Sequence, residues 1–363
     1  MIFEILVFCI ISIPFITQNL RNSKKIYCIT IAVILIFFSG FRSYNIGTDT
    51  PAYVQVFLNS DKISLNFLKD ILTKREPLFL LYLALVRTIS DNYSLFLLPI
   101  AIFYISTASS FIYKYSKTPL ISYIILLSMG YFSFSMAGLR QTIGYAILII
   151  ATDKLIDRKY LISVLLIFIA SLFHITSLTF FVVFIVLLVP LNAWYIIYIL
   201  GLSMFSYLFG SSFLLRIVEI VWADTRGYKG IEYGGISTFL LLMIVAAATL
   251  IFYPELIRYQ TRKNGINILK KNNYIATDQL FTKLLLLSIP IQLMAMYQAN
   301  IFRVATMFHF FIICLIPSVI IRQKESKIVF ISQIIVVFFL ILQLFIFTRN
   351  AGNILPFTFF WEI

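Results

Sequence analysis

Guanidinium groups, carboxylates and one histidine recur in this chain at the edges of apolar blocks. Ionisable side chains in such places usually face a cavity and a partner. The stretch 40–53 reads Gly-Phe-Arg-Ser-Tyr-Asn-Ile-Gly-Thr-Asp-Thr-Pro-Ala-Tyr. Thr50 followed by Pro51 predicts a helix start, with Thr as N-cap and Pro at the first helical position. Asp49 then sits beside a helix N-terminus, close to Arg42. Arg75-Glu76-Pro77 repeats the arrangement, with Glu76 ahead of a helix-opening proline. Arg140 opens an apolar block between Gly138 and Gly144, with Gln141 next to it, and Arg303 enters a later one through Asn300-Ile301-Phe302. A guanidinium is the side chain best shaped to grip a phosphate with two parallel hydrogen bonds. His174, between two apolar blocks, is of a type that serves as a base or proton shuttle. Ordinary roles stay open for each. Asp49 and Glu76 suit helix dipoles, Arg42 and Arg140 can snorkel to headgroups, and His174 can be a packing residue. His309, deep in an apolar block, reads as buried packing.

Other enzyme classes find no support. The chain has no glycine-rich phosphate loop, no His-Glu-x-x-His, no Gly-x-Ser-x-Gly and no Cys-x-x-Cys. No Asp-x-Asp pair marks a metal-bound sugar nucleotide. Neither a metal nor another cofactor is expected. The loop 210–236 adds Arg216, Asp224, Arg226, Tyr228, Lys229, Glu232 and Tyr233. That mixture suits a lid over sugar and phosphate, and equally a solvated loop. What remains is an assembly of arginines and acids around an apolar bundle. It fits a lipid-pyrophosphate substrate, with arginines on the leaving pyrophosphate and a carboxylate or histidine taking a hydroxyl proton.

The elements that must position these residues are membrane helices. Of 363 residues, 61% are hydrophobic and 12% charged, against roughly 25% charged in a soluble domain. The apolar blocks approach the roughly 20 residues that cross a bilayer. They are too long and too uniformly apolar for barrel strands, which alternate. An all-α, polytopic bundle follows, expected as one membrane domain over 1–363. Twelve crossings are read: 2–17, 26–40, 95–113, 119–135, 140–156, 160–172, 175–190, 194–209, 237–253, 281–298, 301–321 and 328–347. The first is taken as a retained helix, since Pro14-Phe15-Ile16-Thr17 is no small-residue cleavage site. The segment 78–89 is expected to be short or re-entrant. Residues 62–75 place Ile63, Phe67, Leu68, Ile71 and Leu72 on one stripe and predict an amphipathic helix on the outer interface, and 213–222 repeats the pattern.

The net charge of +14 does not point to nucleic acid. More than half of the 29 basic residues lie in five short clusters around residues 21–25, 114–117, 154–159, 258–271 and 322–327. Basic residues in short loops mark the cytoplasmic side and suit anionic lipid headgroups. With these clusters inside, loops 41–76 and 210–236 lie outside and the basic loop 254–280 inside. Cys9, Cys28 and Cys314 lie in apolar blocks at spacings that suit neither disulfides nor zinc, and read as small buried hydrophobes.

Four short motifs together carry a resemblance. They are Phe41-Arg42 with Gly47-Thr48-Asp49-Thr50 and Tyr53; Glu76-Pro77-Leu78-Phe79; Leu139-Arg140-Gln141; and Phe173-His174-Ile175-Thr176-Ser177. In order, spacing and membrane setting they resemble the EpsG branch of the Wzy-type O-antigen and exopolysaccharide polymerases. Asn300-Ile301-Phe302-Arg303 matches more loosely, and 210–236 carries nothing over. The resemblance implies a metal-independent glycosyltransferase of the inner membrane. It would move a growing glycan from undecaprenyl pyrophosphate to a new lipid-linked repeat unit on the outer face. Its partners would be a flippase and a chain-length regulator. On this reading Arg140 and Arg303 hold the donor pyrophosphate, and Arg42 with Asp49 and Glu76 shapes the acceptor side. Tyr53, Gln141, Arg216 and Arg226 are further substrate contacts. The base is Asp49, Glu76 or His174, with Glu76 favoured because it heads the short helix. Two other classes compete. A flippase for lipid-linked oligosaccharide would carry pseudo-repeat halves and charges at mid-helix, whereas most charges here sit at helix ends. An acyltransferase would need a histidine–carboxylate pair, and neither histidine has an acid beside it in sequence.

Overall fold

The computed structural model describes residues 2–71, 73–221, 235–257, 274–297, 299–323, 325–349 and 351–362. The described residues are helical throughout apart from turns and one isolated bridge, Arg42 to Phe359. In chain order the helices are α1 (Ile2–Thr17), α2 (Ser23–Gly40), α3 (Thr50–Leu58), α4 (Leu65–Ile71), α5 (Pro77–Ile89), α6 (Tyr93–Tyr115), α7 (Pro119–Ser128), α8 (Tyr131–Ala137), α9 (Leu139–Ile156), α10 (Tyr160–Phe173), α11 (Val182–Leu188), α12 (Ala193–Val221) and α13 (Ile236–Phe252). They continue as α14 (Tyr274–Ala295), α15 (Ala299–His309), α16 (Ile312–Ile321) and α17 (Ser326–Gln343).

The chain forms two compact units. The first is Met1–Leu178 with Phe330–Ile363, and the second is Thr179–Val329. Twelve crossings are not matched by helix length. Among the described residues, five helices are long and apolar enough to cross a membrane. A sixth is added if α7 and α8, bent by 50°, form one broken span. The others named as crossings include Ile2–Thr17, Tyr160–Phe173 and Ile236–Phe252, of 16, 14 and 17 residues. At 1.5 Å per residue these cover about 21 to 26 Å, short of a roughly 30 Å hydrocarbon core.

In the first unit α2 packs on α6, α6 on α9, and α9 on α10. Prolines open α3, α5 and α7 at their first turns, where the missing N–H would have had no partner. The helix predicted from Thr50 starts there, but the cap shifts by one residue. Asp49 is the N-cap, without a side-chain cap bond, and the Thr50 hydroxyl reaches the Met136 carbonyl instead at 2.7 Å. Gly130 stands at φ +73° between α7 and α8, a left-handed turn that a residue with a Cβ adopts only at a cost. The break leaves carbonyls at the end of α7 without helical partners, and Thr348 Oγ1 donates to the one on Ser128 at 2.7 Å.

α5 stays close to the loop 41–76 that precedes it. It starts at Glu76, and at its other end Arg87 Nη2 donates to the Leu58 carbonyl at 3.0 Å. Ile63 N–H bonds Thr88 Oγ1 at 3.1 Å. Both ends of α5 therefore contact the first loop, and at 13 residues the helix is shorter than the membrane-length helices. The amphipathic helix expected over 62–75 shrinks to α4, and its stripe divides. Ile71 is buried and Phe67 half-buried, while Leu68 is exposed. In the second unit α12, α13, α15 and α16 pack on α14. The ammonium of buried Lys283 caps α11 by donating to the Val186 and Val189 carbonyls at 2.8 and 2.9 Å. This satisfies two orphan acceptors and complements the negative end of the helix. His309 is fully buried, as expected.

Candidate functional site

Three of the residues singled out in the sequence meet directly. Glu76, at the head of α5, is a non-glycine residue in the left-handed region, with φ +56° and ψ +53°. Such a backbone costs of order 1–3 kcal/mol and persists where its surroundings enforce it. Its carboxylate does not cap α5. Oε2 accepts a charge-assisted bond from Arg140 Nη1, at the first turn of α9. Oε1 lies 2.7 Å from His174 Nδ1, at the end of α10, and 3.3 Å from the Ile175 N–H. The histidine contact is at ion-pair distance without the alignment of a good hydrogen bond. One buried carboxylate thus ties the ends of three helices.

The electrostatics of Glu76 follow from that geometry. Burial by itself pushes its carboxyl upward, but the close approach of His174, the Arg140 guanidinium and the Ile175 N–H outweigh it. The net effect holds the group below the ordinary carboxylate range. Glu76 is therefore an ionised anchor. The other ring nitrogen of His174, Nε2, faces the Gln141 side-chain amide at 3.0 Å. In the tautomer with its proton on Nδ1, toward the carboxylate, the ring would present the Nε2 lone pair to the Gln141 amide.

Arg140 is held on three sides and open on the fourth. Nε donates to the Tyr53 hydroxyl of α3 at 3.1 Å. The guanidinium also lies 5.4 Å from the Tyr53 ring centre and 5.9 Å from that of Phe79, within the range of cation–π attraction. Its side chain is still 42% exposed, against 8% for Glu76 and 12% for His174. Nη2 has no hydrogen-bond partner among the described residues. Gly144, one turn further along α9, lets α10 approach. A Cβ there would stand 2.9 Å from Ser177 Oγ and 3.8 Å from His174 Cβ.

Other expected residues are placed differently. Arg42 is buried to 1% exposure, and its guanidinium is spent on backbone carbonyls: Ser39, Ile46 at 3.3 Å and Met136 at 2.9 Å. It braces the loop against the end of α8, and as placed it has nothing to offer a substrate. Asp49 is half-buried at the start of α3. Arg303 lies in the first turns of α15, in the second unit. Arg216 falls on α12, where side chains lie outside the described residues, as does all of Arg226.

The sequence reading missed the C-terminal tail. Ser43 N–H bonds the Thr358 carbonyl at 2.9 Å, Gly47 N–H that of Asn353 at 3.1 Å, and Thr48 N–H that of Gly352 at 2.9 Å. Phe360 N–H bonds the Phe41 carbonyl at 3.0 Å. Phe359 and Trp361 stack with centroids 4.5 Å apart and pack on Phe37 at the end of α2. Only the aromatic density of the tail hinted at this. The basic residues gather at the other end of the same helices. Lys114 Nζ sits 2.6 Å from Asp153 and 3.4 Å from Asp157, and Lys24 Nζ donates to the Ser116 carbonyl at 2.8 Å.

Fold and site together define a multi-pass membrane protein with an arginine–carboxylate–histidine centre at one end of its helices. The chain belongs to the EpsG family, whose sequence profile matches residues 25–359, nearly its whole length. Membership makes it a membrane protein of the polysaccharide-polymerase type. Neither a curated protein nor a solved structure matches the chain.

Proposed function

We propose that this protein is a glycosyltransferase that polymerises a lipid-linked polysaccharide on the outer face of the bacterial inner membrane. The donor is a growing glycan on undecaprenyl pyrophosphate, and the acceptor is a lipid-linked repeat unit. A flippase that delivers the unit and a chain-length regulator would be its partners. The observation that carries this reading is Arg140, a guanidinium oriented by Tyr53 and Glu76 with one edge open. It stands at the first turn of α9, where the positive end of the helix favours an anion.

In the reaction an acceptor hydroxyl oxygen attacks the anomeric carbon of the donor glycan. The bond from that carbon to the pyrophosphate oxygen breaks, and the pyrophosphate leaves with the electron pair. Arg140 stabilises the growing charge. The hydroxyl proton goes to His174 Nε2, the acceptor hydroxyl taking the place of the Gln141 amide. Glu76, favoured from the sequence as the base, suits another task. A carboxylate bonded to Arg140 and the Ile175 N–H and held acidic is a weak base, but at 2.7 Å from Nδ1 it orients the imidazole. Arg42 and Asp49 shape the loop on the acceptor side.

The test is a host that makes the cognate lipid-linked repeat but lacks its own polymerase. Wild-type protein should produce a ladder of surface glycans. Arg140→Ala and His174→Ala should collapse it to single repeats at unchanged protein levels. A full-length ladder from Arg140→Ala would remove the pyrophosphate role. Repeats trapped inside the cell until the protein is expressed would show a flippase instead.

A further inference from the structure

A groove of about 850 Å³ opens between α3, α4 and α5, in the first outer loop. That volume falls within the roughly 300–1,000 Å³ of small-molecule sites. Both walls are shared with the site described above. On α3, Tyr53 faces Arg140, while Gln55 and Asn59 line the groove. On α5, Leu80 lines it one turn beyond Glu76.

The lining has the chemistry of a sugar site. Gln55, Asn59 and Asn66 present amides, each a donor and an acceptor at once, as a hydroxyl is. Asp61 and Asp70 add carboxylates that can accept from hydroxyls. None of these five side chains is committed to a hydrogen bond among the described residues. Phe67, half-buried on α4, supplies an apolar aromatic wall for the C–H face of a ring. In this lining Lys74 stands against two carboxylates, a net formal charge of −1, which favours a neutral sugar over an acidic one at the lining itself. The phosphate-seeking charge is on Arg140, outside it.

We propose that this groove binds the sugar chain of the acceptor repeat unit and selects uncharged, hydroxyl-rich glycans over acidic ones. The proposal rests on the polymerase reading. It divides the substrate chemically: pyrophosphate at Arg140, neutral glycan between α3, α4 and α5.

The experiment uses full-length protein in lipid nanodiscs and saturation-transfer NMR. The probe is the free repeat-unit oligosaccharide, of determined composition, cut from the producing cell's own surface polysaccharide. Competitors are oligogalacturonate, as an acidic glycan, and inorganic pyrophosphate. Wild type should bind the oligosaccharide, and neither competitor should displace it. Asn59→Ala with Asp70→Ala should weaken binding about tenfold, the loss of two modest hydrogen bonds. Gln55→Trp, a bulky change on an exposed face, should block the groove independently. Unfolding temperatures near wild type would show that both variants fold. Wild-type affinity in both variants, no binding by the wild type, or a charged repeat unit bound through these residues would each overturn the proposal. Its failure is separable from failure of the enzymatic reading. A polymer ladder with unchanged binding in the groove variants sinks the groove alone. Groove-dependent sugar binding without a ladder sinks the polymerase alone.

Discussion

Arg42 and Arg140 are the same residue type at similar helix edges, and their surroundings give them opposite tasks. Every bond Arg42 makes goes to a backbone carbonyl. Arg42→Ala should therefore destabilise the fold by about 3 kcal/mol or more, since each buried acceptor left alone costs of order 1–3 kcal/mol. Thermal unfolding in detergent and steady-state protein level measure this, and a normal unfolding curve with lost activity would return Arg42 to the substrate. Glu76 makes a pH prediction. Its carboxyl is lowered in the folded protein from an ordinary value of 4.5. The folded state then gains stability that is complete above pH 4.5 and lost as pH falls through the lowered value. Glu76→Gln should flatten that acid-side decline in unfolding temperature. Parallel curves for the two proteins would show that the pairing contributes nothing.

At the scale of elements, the site depends on how closely α9 and α10 approach and on the tail that straps the first loop. Gly144→Leu would push His174 away from Glu76, an overpacking change of typically about 1–3 kcal/mol. The expected result is a folded protein with the polymer ladder lost, while Gly144→Ala should keep part of it. Removing 352–362 deletes four backbone bonds to the loop, each worth about 1 kcal/mol net. The truncated protein should still insert, but the segment 41–49 should become readily cleaved by protease. Unchanged protection of that segment would mean that Arg42 and Thr50 hold it unaided. The helix starts at Pro51 and Pro77 were legible because proline chemistry is local. The role of the tail was not, because its bonds to Phe41, Ser43, Gly47 and Thr48 cross some 300 residues of chain.

For the whole molecule, the positions of the charges lead to a sidedness prediction. The Lys114–Asp153 cluster and the Arg140–Glu76–His174 centre occupy opposite ends of α9, separated by about 1.5 Å per residue along its 18 residues. With basic residues on the cytoplasmic side, the prediction is that the centre faces outward. In a protein whose three cysteines are replaced by alanine, Asn45→Cys should react with an impermeant maleimide in spheroplasts. Lys117→Cys should react only after the membrane is opened. The reverse pattern would move the chemistry to the cytoplasm.

Composition alone established an all-helical membrane protein, because a bilayer leaves a long apolar block few other ways to satisfy its backbone. The short motifs, each intact within a few residues, pointed to the family and to Glu76, Arg140 and His174 as candidates. The number of full-length spans was not legible, since apolar blocks of 14 and 20 residues look alike until packing shows where each helix ends. Nor was the division of labour. Whether an arginine meets only carbonyls, as Arg42 does, or a carboxylate and open space, as Arg140 does, turns on groups tens of residues away, the Met136 carbonyl for the one and the Glu76 carboxylate for the other. The end of α8 brings Met136 to Arg42, and the packing of α3, α5, α9 and α10 brings Tyr53 and Glu76 to Arg140 and His174 to Glu76.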